Sequence, residues 1–134
     1  MQNDVILERM DDCEEESLWI CKGDITIEAF DYMGSLWPLH PGRKYLVDLD
    51  LQQLDFDDPE IIDKTNGAAE KIGVTFAYYL YGHVNNNIFH VGDFEFDFSR
   101  YNDYDQYEGK YLKFKADRVN VEFLKELPNQ NNLP

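Results

Sequence analysis

Basic residues are scarce in this 134-residue chain: twelve Lys and Arg stand against 27 Asp and Glu, a formal net charge of -15. That shortage works against phosphate backbones and anionic lipid surfaces, and it favours basic partners, whose encounter a negative field speeds. Cysteine is scarcer still. Cys13 and Cys21 are the only two, and their spacing fits no zinc or redox motif. A chain of this length folds without a covalent staple, so both are expected as free thiols. No apolar run approaches the ~20 residues that span a bilayer. Met1 to Glu16 carries acids where a secretory signal has its apolar segment, which points to a cytosolic protein. Catalytic signatures are missing too: there is no GxSxG, P-loop, GxGxxG, HExxH or HxxxH. An enzyme is therefore not expected, and no cofactor is implied.

What is present is acid in clusters, set among aromatics. Residues 1–16 hold seven acids and one base, residues 48–63 seven acids and no base, and residues 93–108 six acids and one base, so the rest of the chain is +3. Nine Tyr and nine Phe accompany them, many in strand-like alternation, and this argues against global disorder. Residues 1–16 read as an acidic N-terminal arm, 17–127 as a single β-barrel domain, and 128–134 as a loose Pro/Asn-rich tail.

Period-two patterning dominates the domain. Trp19, Cys21, Gly23, Ile25, Ile27 and Ala29 share one parity, which predicts one long strand bent at Gly23. Gly34, Pro38, Pro41 and Gly42 mark a loop that carries Leu36, Trp37 and Leu39, with Trp37 as a core plug. Tyr45, Val47, Leu49 and Leu51 alternate with Leu46, Asp48, Asp50 and Gln52, the clearest strand of all. Asp58-Pro59-Glu60 predicts a helix start, and Asn66-Gly67 its early end. Phe76, Tyr78, Leu80, Gly82 and Val84 line another strand, and Asn85-Asn86-Asn87 supplies a hairpin turn. The return strand changes parity at Gly92-Asp93, and the last strand does so near Asp117-Arg118, as bulges would make them do. Long bulged strands and one short helix predict a small closed or partly open Greek-key barrel of OB-like type, with a β-sandwich as the alternative.

Several constellations could carry chemistry. Lys110, Lys113, Lys115 and Arg118 form the one basic cluster, and nearby acidic strands suffice to balance it. His83 and His90 flank the Asn turn. A two-residue loop there places them opposite each other, but no third ligand has metal-site spacing, so the pair reads as incidental and no metal is expected. His40 sits in a turn beside Pro41. Asp55, Asp57, Asp58 and Glu60 lack the mid-loop Gly and closing Glu of a calcium loop.

The most distinctive stretch is Tyr101-Asn102-Asp103-Tyr104-Asp105-Gln106-Tyr107-Glu108. Tyrosine recurs every third residue with acids between, a composition suited to protein interfaces. Tyr101, Asp103, Tyr104, Asp105, Tyr107 and Glu108 are the candidate partner-binding residues, with their carboxylates meeting Arg or Lys. The sequence thus points to a non-enzymatic acidic protein-binding module. An immunity- or antitoxin-like inhibitor that covers a basic toxin is a concrete version of it. The alternative is an OB-like barrel that binds an oligonucleotide or oligosaccharide through strand aromatics.

Overall fold

A computed structural model describes residues 1–10, 17–31, 34, 38–54 and 57–128. The chain is mainly β, and the strand β4 (Lys44–Gln52) organises it. Its alternation is realised residue by residue: Tyr45, Val47, Leu49 and Leu51 are buried, while Asp50 is exposed. On one edge β4 pairs antiparallel with β1 (Gln2–Met10), and on the other with the last strand, β11 (Arg118–Glu126). β1 continues to β2 (Ser17–Lys22), and β2 to β3 (Ile25–Phe30). A parallel contact of β3 with β11, through Phe30 and Asn120, closes a five-stranded barrel. The closed barrel expected from the pattern is therefore present, in place of a two-layer sandwich.

The N-terminal reading needs correction. Residues 2–10 are not an arm but a barrel strand, with Asn3, Val5 and Leu7 buried. Asp4 and Glu8 alternate with them, so local acidity hid a half-buried strand. Residues 11–16, which hold most of the arm's acids, lie outside the described residues, as do Leu36, Trp37, Asp55 and most of the tail.

The remaining strands build a second sheet against the barrel. β5 (Glu60–Ile62), β10 (Tyr111–Ala116), β7 (Tyr78–Asn85), β8 (Ile88–Val91) and β9 (Phe94–Asp97) are neighbours in that order, and β6 (Ala68–Lys71) also pairs with β7. The helix expected after Asp58 is not formed. Ile61 pairs with Leu112 and Ile62 with Tyr111 instead, since adjacent β-branched residues fit a pleated edge better than a weakly patterned helix. Helical turns occur elsewhere, as two short 3-10 segments at Ser99–Tyr101 and Asp103–Asp105.

Three parity readings also change meaning. Gly23 does not bend one strand; it opens a two-residue hairpin in which Lys22 pairs with Ile25. Gly92-Asp93 is likewise a hairpin, with Val91 opposite Phe94, and not a bulge. Each Gly leads its turn at positive φ, 62° and 58°, where a side chain is strained. At Asp117 the chain leaves the second sheet and enters the barrel, so the parity change there marks a crossing between sheets.

One core fills the space between barrel and sheet. Phe94, Phe96 and Phe98 are fully buried, as are Phe89, Leu112 and Phe114. The outer edge of β9 is closed by a side chain. Asn3 Nδ2 donates to the Glu95 carbonyl at 2.7 Å, and Asn3 Oδ1 accepts from the Glu95 amide at 2.9 Å, so the amide imitates a neighbouring strand. Asn3→Ala leaves both part-buried backbone groups of Glu95 unpaired and is expected to cost about 2 kcal/mol. Urea unfolding should show a lower midpoint at unchanged slope.

Candidate protein-binding loop and its surroundings

Residues 99–109 join β9 to β10, and buried polar groups fix their course. Asp97 accepts a hydrogen bond from the Ser99 amide at 2.9 Å, which holds its carboxyl below the ordinary range. Asn102, 4% exposed, is the keystone. Its Nδ2 donates to Asn87 Oδ1 at 2.7 Å, and its Oδ1 accepts from the Tyr107 amide at 2.8 Å. Glu108 reaches back to the β7–β8 turn and accepts from the amides of Asn86 and Asn87 at 2.5 and 3.1 Å. That turn is the expected two-residue type, with both asparagines at positive φ (53° and 61°). The loop is thus bolted to a hairpin whose own geometry the sequence dictates.

Side chains of the Tyr/Asp stretch divide into two groups. Tyr101 packs inward, with its ring 4.9 Å from Phe114 and 5.4 Å from Phe98, and its hydroxyl donates to the Leu51 carbonyl at 3.3 Å. Tyr107 leans on Phe98. Burial first, and then the charge of Asp58, pushes the Tyr107 hydroxyl up from its usual pKa. With Glu108 occupied by the hairpin amides, these three residues form a pedestal. Asp103, Tyr104 and Asp105 stand on it, all exposed. Tyr104 is 103% exposed and has φ 56°, as does Asp105. A non-glycine residue in this conformation is strained, and strain of this kind persists only where surrounding bonds impose it. Here they impose full display of an aromatic ring between two carboxylates.

The outward face of the second sheet lies alongside. Tyr79, Tyr81 and Tyr111 are half-buried on it with Lys113 and Lys115. Lys113 Nζ covers the Tyr79 ring at 4.2 Å, and Lys115 pairs with Asp57 at 3.8 Å. A cleft of about 290 Å³ between them is lined by Asp57, Asp58, Glu60, Tyr79, Lys113 and Lys115. The basic stripe is thus engaged by neighbouring acids and by a ring. On the same face His83 and His90 are directly opposite, with ring centroids 4.9 Å apart and planes 17° from parallel. Burial, then the charge of His90, pulls the His83 pKa below its ordinary value. No group of three or more His, Cys, Asp or Glu able to hold a metal occurs among the described residues.

One cluster gave no signal in the sequence. Glu28, only 7% exposed, accepts from Ser17 Oγ at 2.5 Å and from Lys71 Nζ, while its amide donates to the Tyr78 hydroxyl at 2.8 Å. Lys71 also lies near the Trp19, Phe76 and Tyr78 rings. Both oxygens of this carboxylate are saturated, so the cluster ties β6 to the barrel and leaves no free base. Ser17 and Glu28 come from the paired β2 and β3, and Lys71 and Tyr78 from the paired β6 and β7, but the two pairs meet through a contact of β3 with β6 that no local pattern encodes.

Fold and site together define a mainly β protein: a closed five-stranded barrel, a second sheet packed on it, and an acidic loop hydrogen-bonded to the β7–β8 turn. The chain belongs to the family described as Uncharacterised conserved protein UCP019853, which it matches over residues 1–124. No curated protein and no solved structure shows significant similarity to it. No helix among the described residues is long and apolar enough to cross a membrane.

Proposed function

We propose that the protein is a non-enzymatic, cytosolic protein-binding module whose Asp103-Tyr104-Asp105 apex docks on a basic partner. The observation that carries this reading is Tyr104, fully exposed at positive φ on a hydrogen-bonded pedestal. A loop backbone held in advance loses little entropy on binding, and tyrosine is a favoured anchor at interfaces. Flanking carboxylates and a net charge of -15 select a basic surface and speed the encounter. Tyr101, Tyr107 and Glu108 act as supports in this reading and do not touch the partner. An immunity- or antitoxin-like inhibitor of a basic toxin is the most concrete form of it.

Tyr104→Ala is expected to keep the fold and to weaken retention of the partner about tenfold or more in a pull-down from the native lysate. Asp103→Asn/Asp105→Asn should lower the salt sensitivity of the complex. Partner retention unchanged by both variants counts against the apex.

A second reading is an OB-like barrel with an oligonucleotide or oligosaccharide ligand. Its support is the strand order: first, second, third, last and fourth around the barrel, with the third and last parallel. The lysine over Tyr79 and the acids of the adjoining cleft weigh against a nucleic-acid platform there. Titration of mixed single-stranded DNA at low salt separates the two readings.

A further inference from the structure

We infer that His83 and His90 form a two-imidazole site for a divalent transition cation such as Zn²⁺ or Ni²⁺, on the outward face of the second sheet. Their opposition follows from backbone geometry. The Asn86-Asn87 turn sets β7 and β8 in register, and Asn85 pairs with Ile88, Val84 with Phe89 and His83 with His90. Glu108 holds both turn amides, so the register has no freedom to slip.

The rings stand 4.9 Å apart and nearly parallel, both half-buried. Neither ring nitrogen of either histidine has a hydrogen-bond partner among the described residues, so the donor atoms are uncommitted. Metal-to-nitrogen bonds of about 2.1 Å ask for nitrogens roughly 3.4 Å apart in a tetrahedral site. The nearly parallel rings do not aim their nitrogens at a common point as they stand, so both side chains must turn for one cation to be shared. Imidazole nitrogen suits Zn²⁺, Ni²⁺ and Cu²⁺ and is a poor ligand for Mg²⁺ or Ca²⁺. Glu95 pairs with His90 across β8–β9, but no third His, Cys, Asp or Glu completes a metal-holding group with the two histidines among the described residues. Two protein ligands leave the other positions to water or to a group from a partner. The negative field of the molecule concentrates cations at such a surface.

Binding also has a structural consequence. The two ligands come from the two arms of the hairpin that Glu108 caps, so a bound cation clamps the support of the Tyr104 loop. Calorimetric titration of tag-free protein with ZnCl₂ and NiCl₂ at neutral pH tests the site. Expected is one saturable cation per chain, with MgCl₂ unable to compete. His83→Gln and His90→Gln should each weaken it about tenfold or more, with unchanged circular dichroism. On the wild-type protein, which needs no variant to fold, the imidazole proton signals of both residues should shift together on addition of Zn²⁺. No saturable binding of either cation, or binding that survives His83→Gln/His90→Gln, overturns the inference.

Discussion

Gly82→Ala is expected to destabilise the protein by about 3 kcal/mol or more. Gly82 lies in the middle of β7, buried, with its missing side chain aimed at the neighbouring strand. A Cβ there would sit 2.0 Å from the His90 carbonyl oxygen, 2.8 Å from its carbon and 3.1 Å from Phe89 Cε1. No rotamer relieves a Cβ clash, because the backbone alone sets its position. β8 must therefore retreat from β7, which breaks the His83–His90 register and the turn that supports the loop. Gly73→Ala is the control, since its surroundings are open and only its φ of 59° resists a side chain. That substitution should cost about 1 kcal/mol. Urea denaturation of both variants makes the comparison, and near-equal midpoints would contradict the close approach of β7 and β8.

Phe114→Ala is expected to cost about 3–5 kcal/mol. Phe114 is fully buried on β10, with its ring 5.3 Å from Phe98, 4.9 Å from Tyr101 and 6.1 Å from Phe89. Truncation leaves a cavity under the pedestal and removes two edge-on aromatic contacts and a tilted one, each worth about 1 kcal/mol beyond area. Phe114→Leu keeps most of the volume and should lose about 1–2 kcal/mol. Stability is not the only readout. Hydrogen exchange at Asn102 and Tyr107 should accelerate in Phe114→Ala beyond what global unfolding explains, because Tyr101 loses its floor. Exchange there that follows global stability alone would separate the loop from the core beneath it.

Strand positions were legible wherever one face is apolar and the other polar. Tyr45 to Leu51 and Tyr78 to Val84 alternate cleanly, and the asparagines at 85 to 87 marked the turn, while the histidine register stayed open because a one-residue shift would put the two rings on opposite faces. Reading failed where alternation was ambiguous. In β2, Leu18 and Ile20 point into the core while Trp19 and Cys21 are also apolar, so parity could not separate a hairpin at Gly23 from a bent strand. Val91, Gly92, Asp93 and Phe94 change parity in the same way for a bulge or a tight turn. In β1 the acids at positions 4 and 8 outweighed Val5 and Leu7 to the eye, though the same period-two rule applies. The 3-10 loop stood out in the sequence as a segment of unusual composition. Which of its tyrosines point inward depends on Phe98, Phe114 and Leu51, and these come from other elements.

The electrostatic picture also sharpened. Of the basic cluster, Lys113 and Lys115 are engaged by a tyrosine ring and by Asp57, and Arg118 lies over Phe30 with its Nε bonded to Gln52 at 2.7 Å. Asp103 and Asp105 have no such neighbours of opposite charge among the described ion pairs. They share this with other exposed acids, such as Asp50 and Glu60, and differ from them in flanking Tyr104.

Site-specific photocrosslinking from position 104 tests the proposed interface most directly. A photoreactive aromatic residue placed there in the native cell should give a discrete adduct with a basic protein, and Asp103→Asn/Asp105→Asn should weaken it. The same residue at Val74, which is 99% exposed on another turn, serves as the reference. No adduct from position 104, or the same adducts from both positions, would contradict a partner-binding apex at Tyr104.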